Sequence, residues 1–131
     1  MTKDDILQNL RKDPIFVATV DEGKPSLRPF EPAILYEEHI YLLTSNTKNV
    51  YHQLKANPNI EIVNMLNDEK WQRLSAQVEF DDRPEIMEAF IKDYTWVENH
   101  HKPNDGYSVA LKLTNPKVRI YGDGEVKEVS L

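Results

Sequence analysis

Two clusters of side chains in this chain have the types and spacing to do chemistry. The first is Thr44-Ser45-Asn46-Thr47-Lys48. It follows an alternating segment, with Ile40, Leu42 and Thr44 on one face and Tyr41, Leu43 and Ser45 on the other. It precedes a helical pattern carried by Val50, Tyr51 and Leu54, which Asn57-Pro58 ends. A strand that hands hydroxyls and a lysine to the first turn of a helix can seat a phosphate. First-turn N–H groups have no intrahelical acceptor, and the helix dipole favours an anion there. The same hydroxyls can simply cap an ordinary helix on an edge strand, and on this stretch alone that plainer role is the stronger one. The second cluster lies on 71–80, the cleanest alternation in the chain. Leu74, Ala76, Val78 and Phe80 share one face and fit a core. Trp71, Arg73, Ser75, Gln77 and Glu79 share the other, which presents an aromatic ring, a guanidinium and a hydroxyl in a row.

Other chemistries are poorly served. His100 and His101 are adjacent in a polar stretch, and the only other histidines are His39 and His52, so no metal-ligand spacing is present and no metal is expected. Asp4-Asp5 and Asp81-Asp82 read as helix-start and strand-end acids, with no apolar pocket to split their pKa values into an acid and a base. There is no Gly-rich phosphate loop and no Ser-His-Asp order, so no catalytic residue is assigned. Cysteine is absent, which excludes disulfide and thiolate chemistry and fits a cytoplasmic address. The formal charge of −6, without a cluster of Lys and Arg, argues against nucleic acid as a partner. No run approaches the roughly 20 apolar residues of a membrane helix, so no membrane partner is expected. The opening MTKDDILQNL carries acids where a signal peptide would carry an apolar core.

The elements that must position these groups follow from the patterning. The 131 residues suit one domain, 1–131, able to bury roughly two-thirds of its unfolded surface. Thr2 and Asp5 form a loose capping box for a first helix with Ile6, Leu7 and Leu10 as its buried stripe, ended by Asp13-Pro14. Segment 15–20, IFVATV, is apolar on both faces, as in a strand covered on both sides. Asp21-Glu22-Gly23-Lys24 is a hairpin turn. Residues 26–36 predict a strand that must be at an edge, bulged or bent, because Pro25, Pro29 and Pro32 cannot serve a fully paired one. Further strands are predicted over 60–66, 71–80, 107–113 and 117–121, with turns at Asn67-Asp68-Glu69-Lys70 and around Gly122, and with Asn115-Pro116 separating the last two. Asp82-Arg83-Pro84 starts a second amphipathic helix with Ile86, Met87, Phe90, Ile91 and Tyr94 inward. Residues 95–106 predict a loop with at most a helical turn. Tight turns between strands imply an antiparallel sheet, and about six strands in this length suggest a small closed barrel with helices outside it.

Three segments, VATVDEGKPSLRPF, IYLLTSNTKNVYHQLKANPNIEI and KWQRLSAQVEFDD, resemble in order and spacing the FMN-binding split barrels related to pyridoxamine 5′-phosphate oxidase. Within that group the likeness is to the small bacterial NimC/NimA proteins, labelled nitroimidazole-reductase-like, which also finish with a strand pair and a tail like YGDGEVKEVSL. The resemblance implies a mainly β, α+β chain folded as a six-stranded antiparallel split barrel. It also implies a homodimer holding FMN at the subunit interface, and a flavin-dependent oxidoreductase with a small-molecule substrate and, as donor, a reduced nicotinamide. Carried onto this chain, it places Arg28 on the strand beneath the flavin, with Pro29 and Phe30 shaping that wall. Thr44, Ser45 and Lys48 surround the phosphate, Trp71 and Arg73 reach the cofactor, and Gln53 is a weaker contact from the helix. The bland alternatives are salt bridges for the arginines, a solvated surface for Lys48 and an interface aromatic for Trp71. Two positions depart from the family pattern: Ser26, where relatives often have arginine, and Ala76, where they often have glycine. The long C-terminal part of true pyridoxamine-phosphate oxidases, with its substrate-phosphate arginines, has no counterpart after Tyr121, which argues against that activity. The competing classes are a non-catalytic flavin- or haem-binding module and a barrel that has lost its ligand.

Overall fold

A computed structural model describes residues 1–12 and 14–131. In chain order the elements are α1 (Lys3–Leu10), β1 (Ile15–Asp21), β2 (Lys24–Phe30), β3 (Ala33–Tyr36), β4 (His39–Ser45), α2 (Asn49–Ala56), β5 (Asn59–Met65), β6 (Trp71–Asp81), α3 (Pro84–Asp93), a 3₁₀ turn (Thr95–Asn99), β7 (Ser108–Gly122) and β8 (Glu125–Val129). The strands form one antiparallel sheet in the order β2-β1-β5-β6-β7-β4-β3, with β8 added to β7. This is the split-barrel architecture, with the strand number corrected from six to eight and the sheet left open between β2 and β3.

The corrections have local causes. Pro32 removes a donor and the chain turns at Glu31-Pro32, so 26–36 divides into β2 and β3, each with a single strand neighbour at an end of the sheet. That is the edge placement the prolines require. Conversely, Asn115-Pro116 does not end a strand. It forms a bulge in a 15-residue β7, where Thr114 pairs with Gln77 and Lys117 with Ser75, so two residues oppose Ala76 alone. Asn115 takes φ 51°, and its Nδ2 donates to Gln77 Oε1 at 3.0 Å. Phe80 is not core: it is 40% exposed and stacks on Tyr51 with centroids 4.9 Å apart.

Other expectations hold. The Thr2–Asp5 capping box is complete, with bonds of 2.8 and 3.2 Å. Helix α1 ends at Leu10 with Arg11 as its cap; Asp13 of the anticipated Asp13-Pro14 stop lies outside the described residues. Glu22 and Gly23 at φ 50° and 80° make the two-residue hairpin between β1 and β2. No helix among the described residues is long and apolar enough to cross a membrane.

Two apolar clusters fix the site's scaffold. Ile15, Val17, Leu42, Ile62, Leu74 and Leu111 fill the concave side of the sheet beneath α1 and α2. Ile86, Met87 and Phe90 of α3 pack on Ile34, Tyr41 and Leu43. Strand β4 is therefore buried on both faces, held between β7 and β3 rather than at an edge. This delivers Thr44 and Ser45 to the start of α2 from a rigid support.

Candidate functional site

Strand β4 ends with Thr44 and Ser45 at 2% and 5% exposure, and the chain turns into α2 through Lys48. The hydroxyl cap anticipated from the sequence does not form. Lys48 itself occupies the N-cap position at φ −94° and ψ 150°, and no side chain bonds the first turn. Ser45 Oγ instead pairs with Thr47 Oγ1 at 2.7 Å and accepts from the Thr47 N–H at 3.2 Å. Thr44 Oγ1 is buried with no hydrogen-bond partner among the described residues. The hydroxyl and the first-turn N–H groups beside it are therefore polar groups that the described protein atoms leave without side-chain partners.

A cavity of about 270 Å³ opens here, lined by Arg28, Pro29, Phe30, Thr44 and Lys48, together with Glu31, Pro32, Leu43, Val50, Trp96, His100 and His101. Arg28 sits on the concave face of β2, in register with Val17, and its terminal nitrogens are fully engaged. Nη1 donates to Val17 O at 3.0 Å and Thr19 Oγ1 at 2.8 Å, and Nη2 to Ser26 Oγ and Gln53 Oε1, both at 2.7 Å. Gln53 also accepts from Thr19 at 2.5 Å, so it braces α2 against β1 and β2 and does not line the cavity. Burial pulls the Arg28 guanidinium below its ordinary pKa, with the Asp21 charge acting against that.

Trp71 and Arg73 lie on the opposite, convex face. Cross-strand register puts Pro29, Phe16, Val63, Arg73 and Arg119 in one row, so the Pro29 ring faces away from Phe30 although Pro29 borders the cavity. Trp71 stacks on Tyr121 at 4.0 Å and 6°, and the Arg73 guanidinium lies 5.2 Å and 5.4 Å from the two ring centroids. Arg73 Nε is buried and unpartnered. A second hollow, about 490 Å³, runs beside it between Glu61, Ser75, Lys117, Arg119 and Val129. One chain thus gathers Arg28, Phe30, Thr44 and Lys48 around this cavity, leaves Ser45 bonded to Thr47 outside its lining, and holds Trp71 and Arg73 on another face.

The chain has 22 acids, yet the salt-bridge explanation fails for both singled-out arginines. Arg11 pairs with Asp93, Arg83 with Asp81, Glu37 and Glu85, and Arg119 with Glu128. Among the described residues Arg28, Arg73 and Lys48 form no ion pair.

The family model described as pyridoxamine 5′-phosphate oxidase matches residues 2–122. The chain belongs to the pyridoxamine 5′-phosphate oxidase family. A NimC/NimA family protein from Clostridium acetobutylicum superposes with a TM-score of 0.89 at 30% identity, covering 99% of this chain and 92% of that one. The general stress protein 26 of Bacillus anthracis superposes at 0.72 with 16% identity, over 98% of this chain and 100% of that one. The haem storage protein HutZ from Vibrio cholerae superposes at 0.70 with 16% identity, over 93% and 95%. No curated protein matches the chain.

Within this family member, sequence reasoning missed one wall of the cavity. Residues 95–106 contain the 3₁₀ turn, which carries Trp96, and then return His100 and His101 to the mouth beside Lys48. Asp105 organises the return: its carboxylate accepts from the N–H groups of Lys102, Tyr107 and Ser108 and from Ser108 Oγ. Burial alone would raise its pKa, but these four donors hold the carboxyl well below the usual range. Ser108 in turn meets His101 Nδ1 at 2.7 Å. The sequence signal was the Asp105-x-x-Ser108 spacing after two histidines and a tryptophan in a polar stretch.

Proposed function

We propose that this family member binds FMN and serves as a flavin-dependent oxidoreductase, as a homodimer with the cofactor between subunits. The observation that carries the reading is the buried, unpartnered Thr44 Oγ1 beside unpaired Lys48 and an uncapped helix start. That donor set suits a phosphate, which takes hydroxyl, backbone N–H and ammonium donors together. Phe30, Leu43, Val50 and Trp96 offer the flat apolar surface a ring system needs.

A cavity of about 270 Å³ lies just below the roughly 300–1,000 Å³ of complete ligand sites, as expected of a half-site. The other half fits the convex face. There Phe16 and Met65 remain 45% and 43% exposed on β1 and β5, and Arg73 keeps an unpaired charge over Trp71 and Tyr121. Pairing two chains through this face would cover those apolar groups and bring the arginine of one toward the phosphate seat of the other. Bound FMN would supply the electron chemistry. The protein's part is to hold the phosphate through Thr44 and Lys48, set the field with Arg28, and exclude water with the apolar wall. The acceptor is a small molecule, and a nitroaromatic is the candidate that similarity to NimC/NimA suggests.

A haem-binding module is the second reading. It is favoured by two imidazoles at the cavity mouth and by the fold shared with HutZ. Titration of the purified protein with FMN, riboflavin, FAD and haemin separates the readings. Preferential quenching of FMN fluorescence supports the flavin site, a Soret band with no FMN response replaces it with haem, and rejection of all four removes both.

A further inference from the structure

The segment that closes the cavity carries a hydrogen-bond relay that the flavin reading does not use. Asp105 is acceptor-only and saturated by backbone N–H groups, so the contact of 2.5 Å between Ser108 Oγ and Asp105 Oδ2 must carry the serine's proton. Ser108 Oγ is then left only with lone pairs, and the 2.7 Å contact to His101 Nδ1 must be an N–H donated by the imidazole. The tautomer is thereby fixed. His101 Nε2, which has no protein partner among the described residues, is a bare acceptor on a neutral ring and a donor on a protonated one. His101 is half-buried and lines the same cavity as Thr44 and Lys48.

Resting on the reading of this cavity as a phosphate seat, we infer that His101 is a proton-gated phosphate contact: a bound phosphomonoester draws a proton onto Nε2, which becomes a donor beside Lys48. Five charged or titratable groups share the imidazole's segment or line its cavity. Asp105 and His100 belong to its own segment, Lys48 opens α2, Arg28 comes from β2 and Glu31 from the link to β3. Burial lowers the pKa of His101 in the free protein, Asp105 opposes this, and the Lys48 and His100 charges lower it further. Lys48 and His100 repel a proton there, and an entering phosphate reverses that field. The ring charges when the anion arrives, so affinity for a phosphate rises as pH falls through the bound-state pKa and levels off below the free-state one. Riboflavin, lacking the phosphate, has no such dependence.

The test is an NMR titration of the imidazole C–H resonances of the intact chain, alone and with saturating inorganic phosphate or FMN, His101 being assigned from the spectrum of His101→Gln. The expected result is an upward shift of about 1 pH unit or more for His101, with His39 and His52 unmoved. FMN affinity should strengthen from about pH 8 to 6.5, above the phosphate's own second pKa of about 6. In His101→Gln, whose amide donates without titrating, it should be flat. Ser108→Ala should lower the pKa of His101 in both states, and no movement would remove Ser108 and Asp105 from the device. If FMN binds and the His101 pKa stays put, the inference is overturned and the flavin reading survives. If FMN is rejected while phosphate alone raises the pKa, the flavin reading falls and the gated contact stands. If neither ligand binds, both fall.

Discussion

Lys48 offers the sharpest perturbation, because it lines the cavity proposed to hold the phosphate and its side chain bonds nothing else among the described residues. It is exposed, makes no side-chain hydrogen bond and forms no ion pair among the described residues. Lys48→Ala should therefore leave stability within about 0.5 kcal/mol of the parent, the usual range for surface substitutions. Its effect on FMN follows from Coulomb's law. A unit charge pair about 4 Å apart is worth about 4 kcal/mol at an effective dielectric of 20 and about 1 kcal/mol in bulk water. An exposed ammonium lies toward the lower limit, so about 1–2 kcal/mol, or roughly 5- to 30-fold in Kd, is the expected loss. Riboflavin should change by less than about twofold, because the ammonium addresses only the phosphate. The assay is a fluorescence titration with both flavins at about 0.1 M and 1 M salt, where the Debye length falls from about 10 Å to 3 Å. The gap between parent and variant should shrink at high salt. Equal losses for FMN and riboflavin, or a gap indifferent to salt, would refute the phosphate assignment.

Arg73→Ala should cost about 1–3 kcal/mol of flavin affinity if the buried, unpartnered Nε finds its acceptor on the cofactor; unchanged titrations would return Arg73 to a purely aromatic-stacking role. Phe16→Asp places a charge on the exposed convex face and should halve the mass measured by light scattering, whereas an unchanged mass would show that two chains do not meet there. Asp105 contributes to acid stability with a definite sign. Its folded pKa lies below the ordinary 3.8, so the contribution is present above that value and is lost as pH falls toward the folded one. Asp105→Asn should therefore lose less stability than the parent between about pH 5 and 2 in urea melts followed by circular dichroism, and parallel losses would remove Asp105 as the source.

What could be read from the sequence was what the chain encodes over short distances. The capping box at Thr2, the Glu22-Gly23 turn and the alternation of β6 as far as Val78 are each set by a few adjacent residues, and all three are present. The errors came where tertiary context decides. Asn115-Pro116 carries a turn's composition, but pairing with a continuous β6 on one side of it and the other makes it a bulge. Strand β4 has an ordinary alternation, and only the packing of α3 on its second face explains why every residue from Ile40 to Ser45 is buried. Thr44 and Lys48 stood out in the sequence because they lie close together in it. That His101 lines the same cavity was not readable, because it depends on a loop that returns across more than fifty positions toward Lys48.

The arrangement also bears on Arg28, which the family resemblance places on the strand beneath the flavin and not at the phosphate. A guanidinium that clamps a phosphate must offer it a free pair of N–H groups. Those of Arg28 are already spent on Val17, Thr19, Ser26 and Gln53, and Ser26 is the position where relatives often have arginine. Ser26 thus does more than remove a charge, since its hydroxyl helps tie Arg28 inward at 2.7 Å. With the fork engaged and no acid paired to it, Arg28 contributes its field and the alignment of α2 through Gln53, not the hydrogen bonds of a clamp. On the proposed reading, the donors left for a phosphate would be Thr44, Lys48, the first-turn N–H groups and His101 once protonated. Of the proposed donors only His101 would depend on pH, its contact forming when the ligand brings its own charge.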